Sequence, residues 1–167
     1  WEKIKEKAIQ GRRTGIGITA EGDMLAALGI KYGSEHGITF CEEVHKILAI
    51  ETYRASVLLA KDRGAFPIHD LNKELNNPFL QRLFSEDNDL KEEMKQYGRR
   101  NIALLTVAPT GSVSICTQTT SGIEPVFMVM YTRRKKVNPN DVNSKVTFVD
   151  EVGDSWEEYK VFHHKFI

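Results

Sequence analysis

Cysteine is scarce in this chain: Cys41 and Cys116 are the only two in 167 residues, they stand far apart, and they form no C-x-x-C. Five histidines are scattered, with only His163-His164 adjacent, so no metal-ligand spacing is visible. Two unpaired thiols suit a reducing cytoplasm, and a cytoplasmic location is expected. No uninterrupted apolar run approaches the ~20 residues that a membrane-spanning helix needs. The first ten residues, WEKIKEKAIQ, are charged and amphipathic, unlike a signal peptide. Neither charge sign dominates, because 23 Lys+Arg balance 23 Asp+Glu. A dedicated nucleic-acid or anionic-membrane binder needs a cationic surplus, so neither partner is expected. The chain opens on Trp1 without an initiator Met and stops at Phe166-Ile167, which leads us to expect a piece of a larger protein.

The composition is that of a globular protein, with 41% hydrophobic residues to build a core. Trp1, Ile4, Ala8 and Ile9 share one face and predict a short amphipathic helix closed by Gly11. A compact helix is expected from about Ala20 to Leu28, with Thr19 as N-cap and Gly29 as stop. From Ser34 to Arg63 the apolar positions keep helical spacing, interrupted at Glu51/Thr52, with Gly64 at the C-terminal stop and Pro67 beyond. Cys41 falls on the apolar face of this helix and is expected in the core. Asn76-Asn77-Pro78 marks a turn, and the acidic run 85–98 reads as a solvated helix face. Asn101 to Val107 is a nearly continuous apolar run, the pattern of a parallel strand buried on both faces. Val126 to Tyr131 reads as a second buried strand and residues 145–152 as a third. The cluster Arg133-Arg134-Lys135-Lys136 reads as a solvated turn, VNPND as another turn, and residues 154–167 as an aromatic amphipathic end.

The unit most suggestive of chemistry is the strand, loop and short helix at 101–117. Its loop, Ala108-Pro109-Thr110-Gly111-Ser112-Val113-Ser114, brings three hydroxyls and a glycine to a helix start, where unpaired N–H groups and the dipole favour an anion. The alternative is that Thr110 or Ser112 merely caps the helix. The loop is not a P-loop, since no Gly-Lys-Ser/Thr follows. Gly15-Ile16-Gly17 with Gly22 fails as a dinucleotide fingerprint, having the wrong spacing and no preceding strand, and reads as turn residues between helices. Arg12-Arg13 and Arg99-Arg100 are expected to be solvated. Cys116 lies close to the loop, yet no His or Lys occurs between Arg100 and Arg133 to act as its base.

The blocks RRTGIGITAEGDMLAALGIKYGSE, ETYRASVLLAKDRGAFP and GRRNIALLTVAPTGSVSICTQTTSGIEPVF, followed by YTRRKKV, resemble the C-terminal part of the catalytic barrel of ribonucleotide reductases. The resemblance is strongest to the adenosylcobalamin-dependent class. It implies an α/β fold: a fragment, spanning 1–167, of a ten-stranded α/β barrel, helix-rich with a few buried strands. It also implies reduction of the ribose 2′-hydroxyl by a cysteine thiyl radical formed with the adenosylcobalamin cofactor, a cysteine pair supplying electrons and an Asn and a Glu assisting. Those catalytic residues belong N-terminal to the matched region, and neither Cys41 nor Cys116 falls on them. No catalytic residue and no metal ligand is therefore assigned to this segment. The resemblance assigns substrate-phosphate binding to Pro109, Thr110, Gly111, Ser112, Val113 and Ser114. Gly111 and Val113 depart from the iron-dependent class, whose loop carries a Glu and more hydroxyls. Gly122-Ile123-Glu124-Pro125 is a family signature expected to lead the chain into the next strand. The implied partners are a ribonucleoside di- or triphosphate, the remainder of the catalytic chain, and a second copy through exposed strand edges. Two alternatives stand beside this reading: the large subunit of an iron-dependent reductase, and a helical protein-interaction module without catalysis.

Overall fold

In the computed structural model, residues 1–138, 140 and 143–164 are described. The chain divides into two compact units, one of residues 1–18 and 28–108, the other of residues 19–27 and 109–167. Within VNPND, Pro139 and Asp141 lie outside the described residues.

The first unit is helical. Helix α1 (Glu2–Gly11) includes Gly11, and Arg12 ends it in the left-handed region at φ 46°, its N–H donating to the Ala8 carbonyl. Helix α3 (Glu35–Arg63) begins where Ser34 accepts from the Gly37 N–H and ends at Gly64, φ 77°. It runs unbroken through Glu51/Thr52, because Thr52 and Tyr53 are buried against the core and packing overrides the weak local pattern. Cys41 is half-buried and stands outside that core. Three short helices follow: α4 (Leu71–Leu75), α5 (Pro78–Glu86) and α6 (Asn88–Tyr97). Their starts are capped by the side chains of Asp70, Asn77 and Asp87, which accept from Lys73, Phe79 and Leu90 N–H respectively. The acidic run thus supplies a cap at Asp87, and α6 still buries Leu90 and Met94 completely. These side chains join Ala49, Tyr53, Val57, Leu80, Leu83, Phe84 and Leu104 in one cluster.

Residues 101–107 form no full strand. One parallel bridge joins Leu105 to Ile16, within a run in which Ile102 N–H donates to Gly11, Thr14 and Ile16 donate to Ala103 and Leu104, and Thr106 donates to Ile16. The parallel direction agrees with the sequence pattern; the burial on both faces does not, since Leu104 is buried while Val107 is exposed. Gly15 and Gly17 are correspondingly part of an extended pairing segment and not of an inter-helix turn. A Cβ on Gly17 would sit 2.1 Å from the Thr106 carbonyl oxygen, so only glycine allows this approach.

Arg99 and Arg12 are likewise better packed than expected. The Arg99 guanidinium is buried and pairs bidentately with Glu74 (2.7 and 2.9 Å), while its remaining Nη1 donates to the Asn101 and Ile102 carbonyls. It also lies over the rings of Tyr53 and Phe66.

The second unit holds α2 (Glu21–Ala27), α7 (Gly111–Thr117) and a three-stranded antiparallel sheet. The sheet order is β1 (Met130–Lys136), β3 (Ser155–Phe162), β2 (Phe148–Val149). In register, Met130 faces Phe162 and Lys136 faces Trp156. The second strand starts at Met130, and Val126 to Val129 precede it without regular structure. The basic cluster 133–136 lies within that strand, where Arg134 pairs with Glu158 and Lys136 with Asp154. The third strand shrinks to Phe148–Val149, and within the aromatic end Ser155–Phe162 forms β3, residues 165–167 lying outside the described residues. β1 is exposed along its whole length, so the strands are not buried. Among the described residues no closed ten-stranded barrel is present; the observed fold is helix-rich with a small antiparallel sheet. No helix among them is long and apolar enough to cross a membrane.

Candidate phosphate-binding loop

The loop 109–114 and the residues that hold it all lie in the second unit. Thr110 stands immediately before α7 in the left-handed region, φ 39° and ψ 27°. For a β-branched residue this conformation costs about 1–3 kcal/mol and persists only where the surroundings enforce it. The enforcement is a hydroxyl network. Thr110 Oγ1 accepts from the Gly122 N–H (2.8 Å) and shares a hydrogen bond with Thr19 Oγ1 (3.1 Å). Thr19 Oγ1 in turn lies 3.1 Å from the Thr120 carbonyl, to which it donates. The Thr120 N–H donates to Asp23 Oδ2 at 3.0 Å.

This network bears on the capping reading of the loop. Thr110 does not cap α7 with its side chain, and no side chain does. The first intrahelical bond runs from Ser114 N–H to the Thr110 carbonyl (2.8 Å). The N–H groups of Gly111, Ser112 and Val113 are therefore left with no partner inside the helix. Gly111, Ser112 and Val113 are exposed, and a Cβ built on Gly111 would meet nothing within 4 Å, so the space over the helix start is open.

The six predicted residues thus divide. Gly111, Ser112 and Val113 present backbone N–H groups, and Ser112 adds a hydroxyl. Pro109 is exposed and has no N–H to give. Thr110 shapes the loop. Ser114 is buried, and its hydroxyl donates to the Gly111 carbonyl at 2.8 Å, turned into the helix. The loop contains no cation; what it can do is hold an anion through N–H groups and one hydroxyl.

The supporting roles of Thr19, Asp23, Thr120 and Gly122 are not legible in the sequence. Thr19 was expected to cap α2, yet its hydroxyl serves the loop, and Ala20 at φ 66° precedes that helix. Gly122, Glu124 and Pro125 do more than lead into a strand. Gly122 anchors Thr110, and a Cβ on Gly22 would come within 2.5 Å of the Glu124 carbonyl oxygen and the Pro125 Cα. The signal available was the glycine at 22 together with the Gly-Ile-Glu-Pro block, whose close approach no spacing rule reveals. Asp23 also lies 3.8 Å from His163 Nε2. Cys116 is exposed on α7 and Cys41 half-buried on α3, and neither forms a disulfide. Among the described residues no cluster of His, Cys, Asp or Glu could hold a metal ion.

Comparison with known proteins follows the same blocks. The vitamin B12-dependent ribonucleoside-diphosphate reductase of Mycobacterium tuberculosis is 33% identical over 131 residues, covering 78% of this chain and 16% of that protein. The enzyme of the same description from Thermoplasma acidophilum is 32% identical over 132 residues, 79% of this chain and 15% of its own length. The ribonucleoside-diphosphate reductase subunit alpha of Helicobacter pylori is 31% identical over 141 residues, 75% of this chain and 18% of its own. The chain spans less than a fifth of the length of these curated relatives. A family model described as ribonucleotide reductase, barrel domain, matches residues 1–160, and with nearly the whole sequence matched the chain belongs to the ribonucleotide reductase barrel family.

Proposed function

We propose that this chain is a late segment of the catalytic chain of an adenosylcobalamin-dependent ribonucleotide reductase, and that its loop 109–114 receives the substrate's phosphates. The observation that carries the reading is the uncapped start of α7, whose free N–H groups are exposed while Thr110 is locked in a strained conformation. Helix starts of this kind favour phosphate oxygens through N–H donors and the dipole. The B12-dependent relatives and the presence of Gly111 and Val113 in the loop support the cobalamin class. The Helicobacter relative, named only as a subunit alpha, keeps the iron-dependent class as the second reading. Family membership favours either over a helical interaction module.

The resemblance places no cobalamin contact and no catalytic cysteine within this segment. The reading therefore assigns the cofactor and the radical cysteine to the rest of the parent chain. Its partners are that remainder, a ribonucleoside di- or triphosphate, and a second copy.

The test is Ser112→Ala in the complete enzyme. Loss of a hydroxyl bond to a charged group costs about 1.5–3 kcal/mol, so KM for the nucleotide should rise roughly ten- to hundredfold with kcat little changed. An unchanged KM sinks the loop assignment. Turnover of the same enzyme without adenosylcobalamin, given a metal-radical partner subunit, would select the second reading.

A further inference from the structure

The first unit carries a cationic surface that the loop does not explain. Lys3 and Lys7 are four residues apart on α1 and so share a face. Together with Arg12 and Arg13 they line a cavity whose other walls are Ile4 and Ala8, with no carboxylate among them. Arg12 links this cavity to a second group of cations. Its Nη1 donates to the Ala65 carbonyl at 3.0 Å. Arg100 Nη1 donates to the carbonyls of Arg63 and Gly64 at 2.6 and 2.9 Å. Two guanidiniums are thereby fixed on three consecutive carbonyls at the end of α3.

Capping the negative end of α3 accounts for part of this arrangement. It uses one nitrogen of each guanidinium, although an arginine offers five N–H donors, and it gives no role to Lys3, Lys7 or Arg13. Among the described residues, none of Lys3, Lys7, Arg12, Arg13, Arg63 and Arg100 pairs with a carboxylate. Lys46, Arg54, Lys95, Arg99, Arg134 and Lys136 all do. Burial, and then the positive charges of Arg12 and Arg63, hold Arg100 below the ordinary arginine range. A bound anion would relieve that repulsion.

We propose that this surface binds a linear polyphosphate, the chemistry shared by inorganic tripolyphosphate and a nucleoside triphosphate. At 1.5 Å per residue, Lys3 to Arg12 spans about 13 Å, more than one phosphate group can touch. The patch is bounded and the chain is neutral overall, which disfavours an extended nucleic-acid track. No residue of loop 109–114 lines this cavity.

Calorimetric titration of the full chain with tripolyphosphate, and separately with ATP, tests the proposal. The variant is Lys3→Gln/Lys7→Gln/Arg13→Gln, which leaves the Arg12 and Arg100 anchors in place. The expected result is binding of both ligands by the unaltered protein and a loss of about tenfold or more in the variant. Bound ligand should also shield Lys3 and Lys7 from amine acylation. Tighter binding of ATP than of tripolyphosphate would add a nucleoside contact, and equal binding would assign recognition to the phosphate chain; both support the site. Ser112→Ala should leave this binding intact, so failure here is separable from failure of the loop assignment. No binding at about 0.1 M salt, or unchanged affinity in the triple variant, overturns the proposal. So does an affinity for single-stranded oligonucleotides that grows with their length beyond that for tripolyphosphate.

Discussion

The two units of this chain meet the cost of ordering a polypeptide by different means. In the first, α3, α5 and α6 surround one apolar cluster in which Leu80, Leu90 and Met94 are fully buried, and even a charged pair, Arg99 with Glu74, is sealed inside. In the second, the apolar residues Ile115, Phe127, Met128, Val129 and Met130 are exposed, Phe127 by 94%. The geometry that matters there, at Thr110, is held by hydroxyls and backbone N–H groups. A contiguous exposed apolar run marks a surface that another partner covers. On the proposed function that partner is the rest of the catalytic chain; the first unit encloses an apolar core of its own, although Trp1, Ile4 and Ile38 are exposed on it.

This contrast can be broken at several points. Glu74→Ala should do most damage, because it strands a buried guanidinium; a loss of about 3–5 kcal/mol is expected, read as a lower urea midpoint. A loss below about 1 kcal/mol would mean that water already reaches Arg99. Thr110→Val should cost about 1–3 kcal/mol by orphaning the Gly122 N–H. Its signature is faster hydrogen exchange at Gly122 with exchange in α3 unchanged, and global loss of protection would contradict the division into units. Phe127→Ala should change the stability of the chain by no more than about 0.5 kcal/mol, whereas in the complete enzyme it should weaken packing measurably. Equal effects in both would remove the case for a covering partner.

The smallest effect concerns acid. Asp150 accepts from the Trp156 indole N–H (2.8 Å) and from the backbone N–H of Asp154 (2.8 Å) and Val152 (3.1 Å). The indole first, then Asp154, hold its carboxyl below the usual carboxylate range. A group with a depressed folded pKa contributes stability above its unfolded value, and loses it as pH falls through the folded value. The β2–β3 corner should therefore loosen only below about pH 4, seen as a shift of the Trp156 indole resonance. In Trp156→Phe the Asp150 titration should move upward; an unmoved titration would discount the indole bond.

Much of the first unit was readable in advance. Ser34, Asn77-Pro78 and Gly64 mark helix ends through bonds spanning two to four residues, and periodic apolar positions mark the faces that become the core. The run 101–107 was readable as extended and parallel. Its partner at 14–16 was not, because the glycines that permit the approach look like ordinary turn residues until Thr106 is placed against them. β1 was misread because its residues, Met130 to Lys136, are exposed on both faces and carry no alternating pattern. What makes them a strand is pairing with β3, including charge pairs to Glu158 and, beside the sheet, Asp154. Arg99 and Arg100 are neighbours of the same type, and one is buried while the other caps a helix end.

Helix limits, the membership of the barrel family and the hydroxyl-rich loop 109–114 are all written in short stretches of residues, since caps, periodicity and motif spacing act over a turn or two of chain. The conformation of that loop is not. Thr110 depends on Gly122, 12 residues on, and on Thr19, 91 residues back. Folding turns its hydroxyl away from the helix start, leaving the N–H groups of 111–113 open. Hydrogen bonds of such separation have no local pattern to announce them; they exist because chain closure brings donors and acceptors together where an unpaired one would cost more than the strain at Thr110.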